Sequence, residues 1–162
     1  MMEAMEINKI ISEIIPPDDY LHRNGFSNEQ LIDKLSDVEI FKVETELITM
    51  LQEKPDMLIV ETLGYMKSEK SLPVLYELLE SLNDEMAKII TATSIFEINQ
   101  DQKMIEKAKA SFKTIKEKFQ LISAFHYLIR MQDSEISKLI QEYTTNSDYL
   151  ISYNAKQALG IS

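Results

Sequence analysis

Residues 62–66 have the sequence TLGYM, and stretches of similar apolar character return three times further along the chain. They are centred on Ile95, Leu128 and Leu159, so that, counted from Leu63, the central residues are 32, 33 and 31 positions apart. A period of this size is typical of stacked repeats, because one supersecondary unit cannot bury its apolar face alone. Such a stack offers an extended surface to another macromolecule, so the period favours a binding protein over an enzyme with a catalytic pocket.

The length and composition predict a single helical domain over residues 1–162. Of the 162 residues, 44% are apolar and 27% are charged, which is ordinary for a globular protein. There are only three Gly and four Pro. A sheet protein of this size needs many tight turns, so the shortage of turn residues favours helices.

Apolar residues recur at helical spacing in eight segments after residue 37, which predicts four helix pairs in residues 37–162. The expected segments are 37–53, 57–66, 71–82, 85–98, 102–114, 119–131, 134–143 and 148–159. Residues 1–36 are expected to form two further helices that cap the open end of the stack.

Three short stretches make residues 37–161 similar to HEAT-like repeats of the short bacterial type. Leu-Gly stands at 63–64 and again at 159–160, SLPVL occupies 71–75, and NAKQALG occupies 154–160. The resemblance implies an all-α fold, an α-solenoid of about four antiparallel helix pairs with an N-terminal pair of capping helices. In such a solenoid the second helix of each pair lines the concave face, which is the usual binding surface.

Positions relative to the repeated apolar residue separate a buried face from an exposed one. The positions five and four before it and three after it are almost all apolar or small, which predicts the core face. The positions two before and two after it lie four apart, on one line of the helix opposite part of that core. With Tyr153 added, the predicted partner-binding stripe is Glu61, Tyr65, Thr93, Glu97, His126, Arg130, Tyr153 and Gln157. A solvated helix face without a partner is the alternative.

The negative charge is concentrated in the first third of the chain. The net charge is −10, and residues 1–56 contribute −8 of it, with 13 acidic and 5 basic side chains. Nucleic acid binding needs Lys and Arg to displace counterions, so this charge argues against it and favours a basic protein partner. A second candidate surface is therefore this acidic N-terminal side, with Asp33, Asp37, Glu39, Glu44, Glu46 and Glu53. Charge that only keeps the protein soluble is the alternative.

The sequence predicts no metal, cofactor or catalytic residue. There is no Cys, and the two histidines, His22 and His126, stand in no metal-binding spacing. No glycine-rich phosphate loop or nucleophile elbow is visible. The first residues lack the pattern of a signal peptide, and no apolar run approaches the roughly 20 residues that span a bilayer. We therefore expect a cytoplasmic protein that does not enter a membrane; the sequence leaves the oligomeric state open.

Three functional hypotheses follow. The first is a non-catalytic protein-binding module, most concretely an immunity or antitoxin-type inhibitor of a basic partner such as a toxin nuclease, by analogy with small acidic helical proteins of bacteria. The second is a general scaffold or adaptor of a larger assembly. The third is a HEAT-fold enzyme resembling a DNA glycosylase or a chromophore lyase. The absence of Trp, a single Arg after residue 23 and a pI near 4.7 argue against that third hypothesis.

Overall fold

The computed structural model describes residues 4–162, which form eleven α-helices, two short 3-10 helices and no strand. The predicted all-α class is therefore confirmed. None of the helices in residues 4–162 combines the length and the apolar character that crossing a bilayer requires. The helices are α1 Ala4–Ile14, α2 Tyr20–Arg23, α3 Glu29–Asp33, α4 Asp37–Glu53, α5 Met57–Tyr65, α6 Leu72–Ser81, α7 Glu85–Asn99, α8 Gln102–Thr114, α9 Lys118–Leu128, α10 Ser134–Gln141 and α11 Tyr149–Leu159.

The eight predicted segments after residue 37 correspond to α4–α11. The largest difference is in the sixth, where α9 ends at Leu128 and the last turn is the 3-10 helix Ile129–Met131. The N-terminal segment differs more, because a third helix, the four-residue α2, stands between the two that were expected. Residues 1–3 of that segment lie outside the described part of the chain.

The second helices of the four predicted pairs correspond to α5, α7, α9 and α11, and acidic residues begin the last three of them at repeating positions. The carboxylates of Asp84, Glu117 and Asp148 accept hydrogen bonds of 2.9, 2.8 and 2.9 Å from backbone amides in the first turns of α7, α9 and α11. These residues are 33 and 31 positions apart. A carboxylate at this position satisfies a free amide and interacts favourably with the helix dipole, so each cap fixes where its helix begins.

The ends of α5, α7, α9 and α11 are also regular. Backbone in the left-handed region follows α5, α7 and the 3-10 helix after α9, at Lys67, Gln100 and Gln132, with φ of 54°, 59° and 52°. Gly160 ends α11 in the same conformation, with φ of 72°. A left-handed residue terminates a helix because its amide turns back to the last carbonyls. The second helices thus end by one mechanism.

The second helices form a row in which α5 packs on α7, α7 on α9, and α9 on α11. The first helices α4, α6 and α10 pack against the second helices that follow them, whereas α8 packs more extensively on the preceding α7 than on α9. The repeated residues Leu63, Ile95 and Leu128 are buried, with exposures of 0, 0 and 1%. Leu159 is only half-buried, because no further helix covers α11 within residues 4–162.

A glycine allows α5 and α7 to approach closely. A Cβ atom built on Gly64 would lie 2.9 Å from Cβ of Ser94, a separation that real Cβ atoms do not adopt. Glu61 lies one turn before Gly64 on α5, and Glu97 lies one turn after Ser94 on α7. The close contact therefore brings Glu61 of α5 and Glu97 of α7 to one surface.

Polar contacts hold the N-terminal segment against α5. Arg23 donates through both terminal nitrogens to the Asp56 carboxylate, at 2.8 and 2.9 Å. The buried Asn28 donates from Nδ2 to the Ile14 carbonyl at 3.1 Å and to Thr62 Oγ1 at 2.8 Å. Burial alone would raise the pKa of Asp56, but the hydrogen bond and charge of Arg23 outweigh it and lower that pKa. The segment is thereby fixed as one wall of a groove.

Candidate functional site: a groove against the second helices

A cavity of about 490 Å³ lies between the N-terminal segment and the helices α5, α7 and α9. Four of the eight predicted stripe residues line it, namely Glu61, Tyr65, Glu97 and Arg130. We call this cavity the groove, and the residues that define it here are Arg23, Asn28, Glu29, Glu61, Tyr65, Glu97, Tyr127 and Arg130. Its volume is in the range of ligand pockets, large enough for a side chain of a partner.

The half-buried carboxylate of Glu61 is the most unusual group in the groove. Its Oε1 accepts a hydrogen bond of 2.8 Å from the hydroxyl of Tyr127, which is 66 positions further along the chain. Among the described residues, no Lys, Arg or His nitrogen lies within 4.0 Å of the carboxylate. Burial raises the pKa of Glu61, and the charges of Glu97 and Glu29 raise it further, whereas Tyr127 and the more distant Arg130 act in the opposite direction.

Arg130 makes a loose ion pair in the groove. Its Nη1 is 3.6 Å from Oε1 of Glu97, which is too long for a good hydrogen bond. Its Cζ lies 5.0 Å from the centre of the Tyr127 ring, a cation–π distance. The Arg130 side chain is 50% exposed. Burial raises the pKa of Glu97, although the charge of Arg130 lowers it. Arg130 therefore offsets only part of the negative charge.

The groove carries more negative than positive charge. Glu29, Glu61 and Glu97 line it, and Arg23 is already matched by its bidentate contact with Asp56 outside the lining. Among the lining residues this leaves Arg130 as the one cation to offset three carboxylates; the charge of Lys67, outside the lining, also acts on Glu97. Burial and the nearby Glu61 charge raise the pKa of Tyr127, so its hydroxyl stays protonated and acts as a donor. Because its carboxylates outnumber its unmatched cations, the groove suits a cationic ligand.

Tyr65 connects the groove to the acidic N-terminal side. Its hydroxyl donates to Asp33 Oδ1 at 2.8 Å, which raises the pKa of the Tyr65 hydroxyl. The two predicted surfaces therefore meet at this hydrogen bond. The other acidic residues of that side lie on α4, and Glu39 accepts a hydrogen bond of 2.9 Å from the backbone of Ser36 in a capping box.

The remaining acidic residues of α4 have different environments. Glu44 accepts a hydrogen bond of 2.5 Å from the hydroxyl of Ser68, whereas Asp37 lies in the first turn of α4, where a carboxylate stabilises the helix dipole. Glu46 is half-buried and Glu53 is exposed. None of these four residues lines the groove.

Thr93 differs from the prediction, because it lies in the core with an exposure of 1%. Helices pack against α7 on several sides, so its central turns have little free surface. A partner therefore does not reach Thr93 in this conformation. Its hydroxyl makes no hydrogen bond to any described residue.

The other three stripe residues are exposed but lie outside the groove, towards the C-terminus. Nε2 of His126 is 3.3 Å from Asn154 Oδ1, and the ring of Tyr153 stacks on Tyr149 with a centroid separation of 5.7 Å. Gln157 is exposed on α11. The predicted stripe thus divides into a part in the groove and a part beyond it.

Sequence reasoning missed Tyr127, although a signal was present. Tyr127 immediately precedes the repeated Leu128, and the equivalent positions hold the small residues Thr62, Ser94 and Ala158. A large aromatic residue with a hydroxyl is therefore the exception at that position. Its length allows it to reach from α9 to Glu61 on α5.

Comparison with known proteins adds no relative. No family model matches the chain, and neither a curated protein nor a solved structure is similar enough to count as a match. Within residues 4–162, no group of three or more His, Asp or Glu side chains is arranged to hold a metal ion. The function is therefore inferred from the groove itself.

Proposed function

We propose that this protein is a non-catalytic protein-binding module, a HEAT-like α-solenoid whose groove binds a basic protein partner. The observation that carries the proposal is the half-buried Glu61 carboxylate, which has no cation within 4.0 Å among the described residues. A carboxylate removed from water is unfavourable unless it is paired. A cationic side chain of a partner compensates this charge, so the groove gains more from such a partner than an ordinary surface does.

Repeated local structure supports the solenoid of four helix pairs. The acidic caps Asp84, Glu117 and Asp148 are 33 and 31 residues apart, which matches the period of the apolar residues. The left-handed ends at Lys67 and Gln100 are likewise 33 residues apart. In a solenoid each repeat covers the apolar flank of its neighbour, as the row of second helices does.

The most concrete form of the proposal is an inhibitor that covers a basic partner, as an immunity protein or antitoxin covers a toxin nuclease. The net charge of −10 supports it, because an acidic surface accelerates encounter with a basic protein. A nuclease has a cationic surface where it meets nucleic acid. A protein that fills this surface excludes the substrate, and the inhibitor needs no catalytic residue of its own. We place this action in the cytoplasm.

The experiment is a comparison of partner retention by two variants with the same change of charge. One is Glu61→Gln with Glu97→Gln in the groove, and the other is Glu46→Gln with Glu53→Gln on α4. Both change the net charge from −10 to −8, since each removes two acidic side chains. The wild-type protein and both variants are immobilised, a lysate of the native cells is passed over them, and stoichiometric partners are identified by mass spectrometry.

We expect the wild type and the α4 variant to retain the same basic protein and the groove variant to lose it. The purified partner is then assayed with and without the wild-type protein, and the inhibitor hypothesis predicts loss of the partner's activity. A partner that binds without losing activity favours the scaffold hypothesis. Equal retention by the groove variant contradicts the proposed binding surface.

A further inference from the structure

We infer that the groove is a guanidinium site, which takes an arginine side chain of the basic partner against the ring of Tyr127 and the carboxylates of Glu61 and Glu97. Arg130 of this chain now lies beside that ring and Glu97. The inference rests on the proposed function, because it assumes that a basic protein docks here. It adds the type of side chain that is recognised and the role of Arg130.

The first step is the chemistry that the groove offers. Glu61 and Glu97 supply carboxylates on two helices. The Tyr127 ring supplies an aromatic face beside Glu61, because the Tyr127 hydroxyl donates a hydrogen bond to the Glu61 carboxylate. A planar guanidinium ion donates to carboxylates in a fork and stacks on aromatic rings at the same time. An ammonium ion is a more strongly hydrated point charge, so it gains less from the ring.

The second step is the occupant that the structure already contains. The guanidinium of Arg130 lies over the Tyr127 ring at 5.0 Å and faces Glu97 at 3.6 Å. This arrangement demonstrates that the ring and the carboxylate accept a guanidinium group. Arg130 does not satisfy Glu61, which has no cation within 4.0 Å among the described residues.

The third step is that Arg130 is held weakly enough for a partner's arginine to displace it. Its side chain is 50% exposed and its ion pair exceeds hydrogen-bond length, and such pairs contribute little to stability. A partner's arginine that reaches both Glu61 and Glu97 makes contacts that Arg130 makes only in part. Arg130 is therefore a competitor for the site and not an anchor of the interface.

The probes that test this inference are three blocked tripeptides, acetyl-Gly-X-Gly-amide, with arginine, lysine or citrulline as X. Citrulline has the shape of arginine without its charge. Each probe is titrated into the full chain at constant ionic strength, and amide shifts in ¹H–¹⁵N NMR spectra report where and how tightly it binds. The variants are Glu61→Gln, Arg130→Gln and, as a control on the exposed face of α6, Glu77→Gln.

For the arginine probe we expect saturable amide shifts in α5, α7 and α9. The dissociation constant of the lysine probe should be at least about threefold higher, and the citrulline probe should cause no saturable shifts. Glu61→Gln abolishes saturable binding, whereas Glu77→Gln leaves it unchanged. Arg130→Gln removes the guanidinium group that occupies the site and its repulsive charge. The dissociation constant of the arginine probe should therefore fall by about threefold.

Three results overturn the inference: equal binding of the arginine and citrulline probes, shifts located outside α5, α7 and α9, or weaker arginine binding in Arg130→Gln. If these appear while partner retention still depends on Glu61 and Glu97, only the guanidinium site is wrong. If partner retention is also indifferent to those residues, the proposed function falls as well. The two failures are therefore distinguishable.

Discussion

At the scale of single residues, the carboxylates of Glu61 and Glu97 in the groove destabilise the folded protein when they are ionised. Glu61 and Glu97 both have pKa values raised by burial, which means that folding disfavours their ionised forms. Binding sites commonly contain residues that lower stability in the free protein and gain their favourable partners on binding. An unpaired carboxylate in a solvated helix face has no such effect on folding.

Glu61→Gln should therefore stabilise the protein at neutral pH. The folded pKa of Glu61 lies above the ordinary value of 4.5, so between the two values the folded state binds more protons than the unfolded state. The free energy of unfolding then falls as the pH rises through that interval. Glutamine imitates the neutral acid and still accepts the hydrogen bond of Tyr127. We expect the midpoint of thermal unfolding at pH 7.5 to rise by roughly 1–3 °C.

The same measurement at pH 4.5 provides the internal control. This pH lies below the raised pKa of Glu61, so the wild-type carboxyl is protonated in more than half of the folded molecules and the advantage of the variant should shrink. Glu77→Gln, on the exposed surface of α6, should change the midpoint little at either pH. An equal or lower midpoint for Glu61→Gln at pH 7.5 would show that the charge is well satisfied without a partner.

At the scale of helices, the contact between Gly64 and Ser94 sets the distance between α5 and α7. Gly64→Ala places a methyl group 2.9 Å from Cβ of Ser94, so one helix has to move. Overpacking of this kind typically lowers the free energy of unfolding by about 1–3 kcal/mol. Urea unfolding of the variant should show a loss in that range.

A double-mutant cycle with Ser94→Gly separates the clash from any intrinsic effect of alanine. The three atoms nearest the new methyl group all belong to Ser94, and removing its side chain leaves Cα, at 3.1 Å, as the nearest of them. The penalty of Gly64→Ala should therefore be smaller in the Ser94→Gly background. The same penalty in both backgrounds would mean that the two helices do not meet at these residues.

The helices themselves were largely predictable from the sequence, and the reason is periodicity. Apolar spacing located all eight segments after residue 37, because such spacing records which face each helix buries. The fine structure of the N-terminal segment was not predictable. Its position depends on the contact of Arg23 with Asp56 and of Asn28 with Thr62, which lie 33 and 34 residues apart in the sequence.

The groove was half predictable for related reasons. Helical spacing placed Glu61, Tyr65, Glu97 and Arg130 on one line, and all four line the groove. Thr93 has the same spacing but is buried, because its exposure depends on how many neighbours pack on α7. Spacing along one helix does not contain that information.

At the scale of the whole molecule, the proposed solenoid predicts that equivalent positions in its repeats respond equivalently to the same change. Leu63 and Leu128 are buried, at 0 and 1% exposure, whereas Leu159 is half-buried at the end of the row. Leu63→Ala and Leu128→Ala should each lower the free energy of unfolding by about 2–5 kcal/mol. Leu159→Ala should lower it by less than half as much, since less apolar surface is lost.

Urea unfolding followed by circular dichroism measures all three variants under one set of conditions. A similar loss for Leu63→Ala and Leu128→Ala supports equivalent interior positions in two repeats. A loss below about 1 kcal/mol for either variant would contradict its burial. If Leu159→Ala lowers the free energy of unfolding as much as the two buried leucine variants do, α11 is covered by further structure.

The most direct test of the central claim is photo-crosslinking from the edge of the groove in living cells. A photoreactive phenylalanine analogue replaces Tyr65, which lines the groove, or Phe41, which is 61% exposed on α4 outside it. Both exchanges keep an aromatic ring, and the exchange at position 65 also removes the exposed hydrogen bond of Tyr65 to Asp33. We expect one defined adduct with a basic protein from position 65 and none from position 41. Adducts from position 41 alone would contradict it.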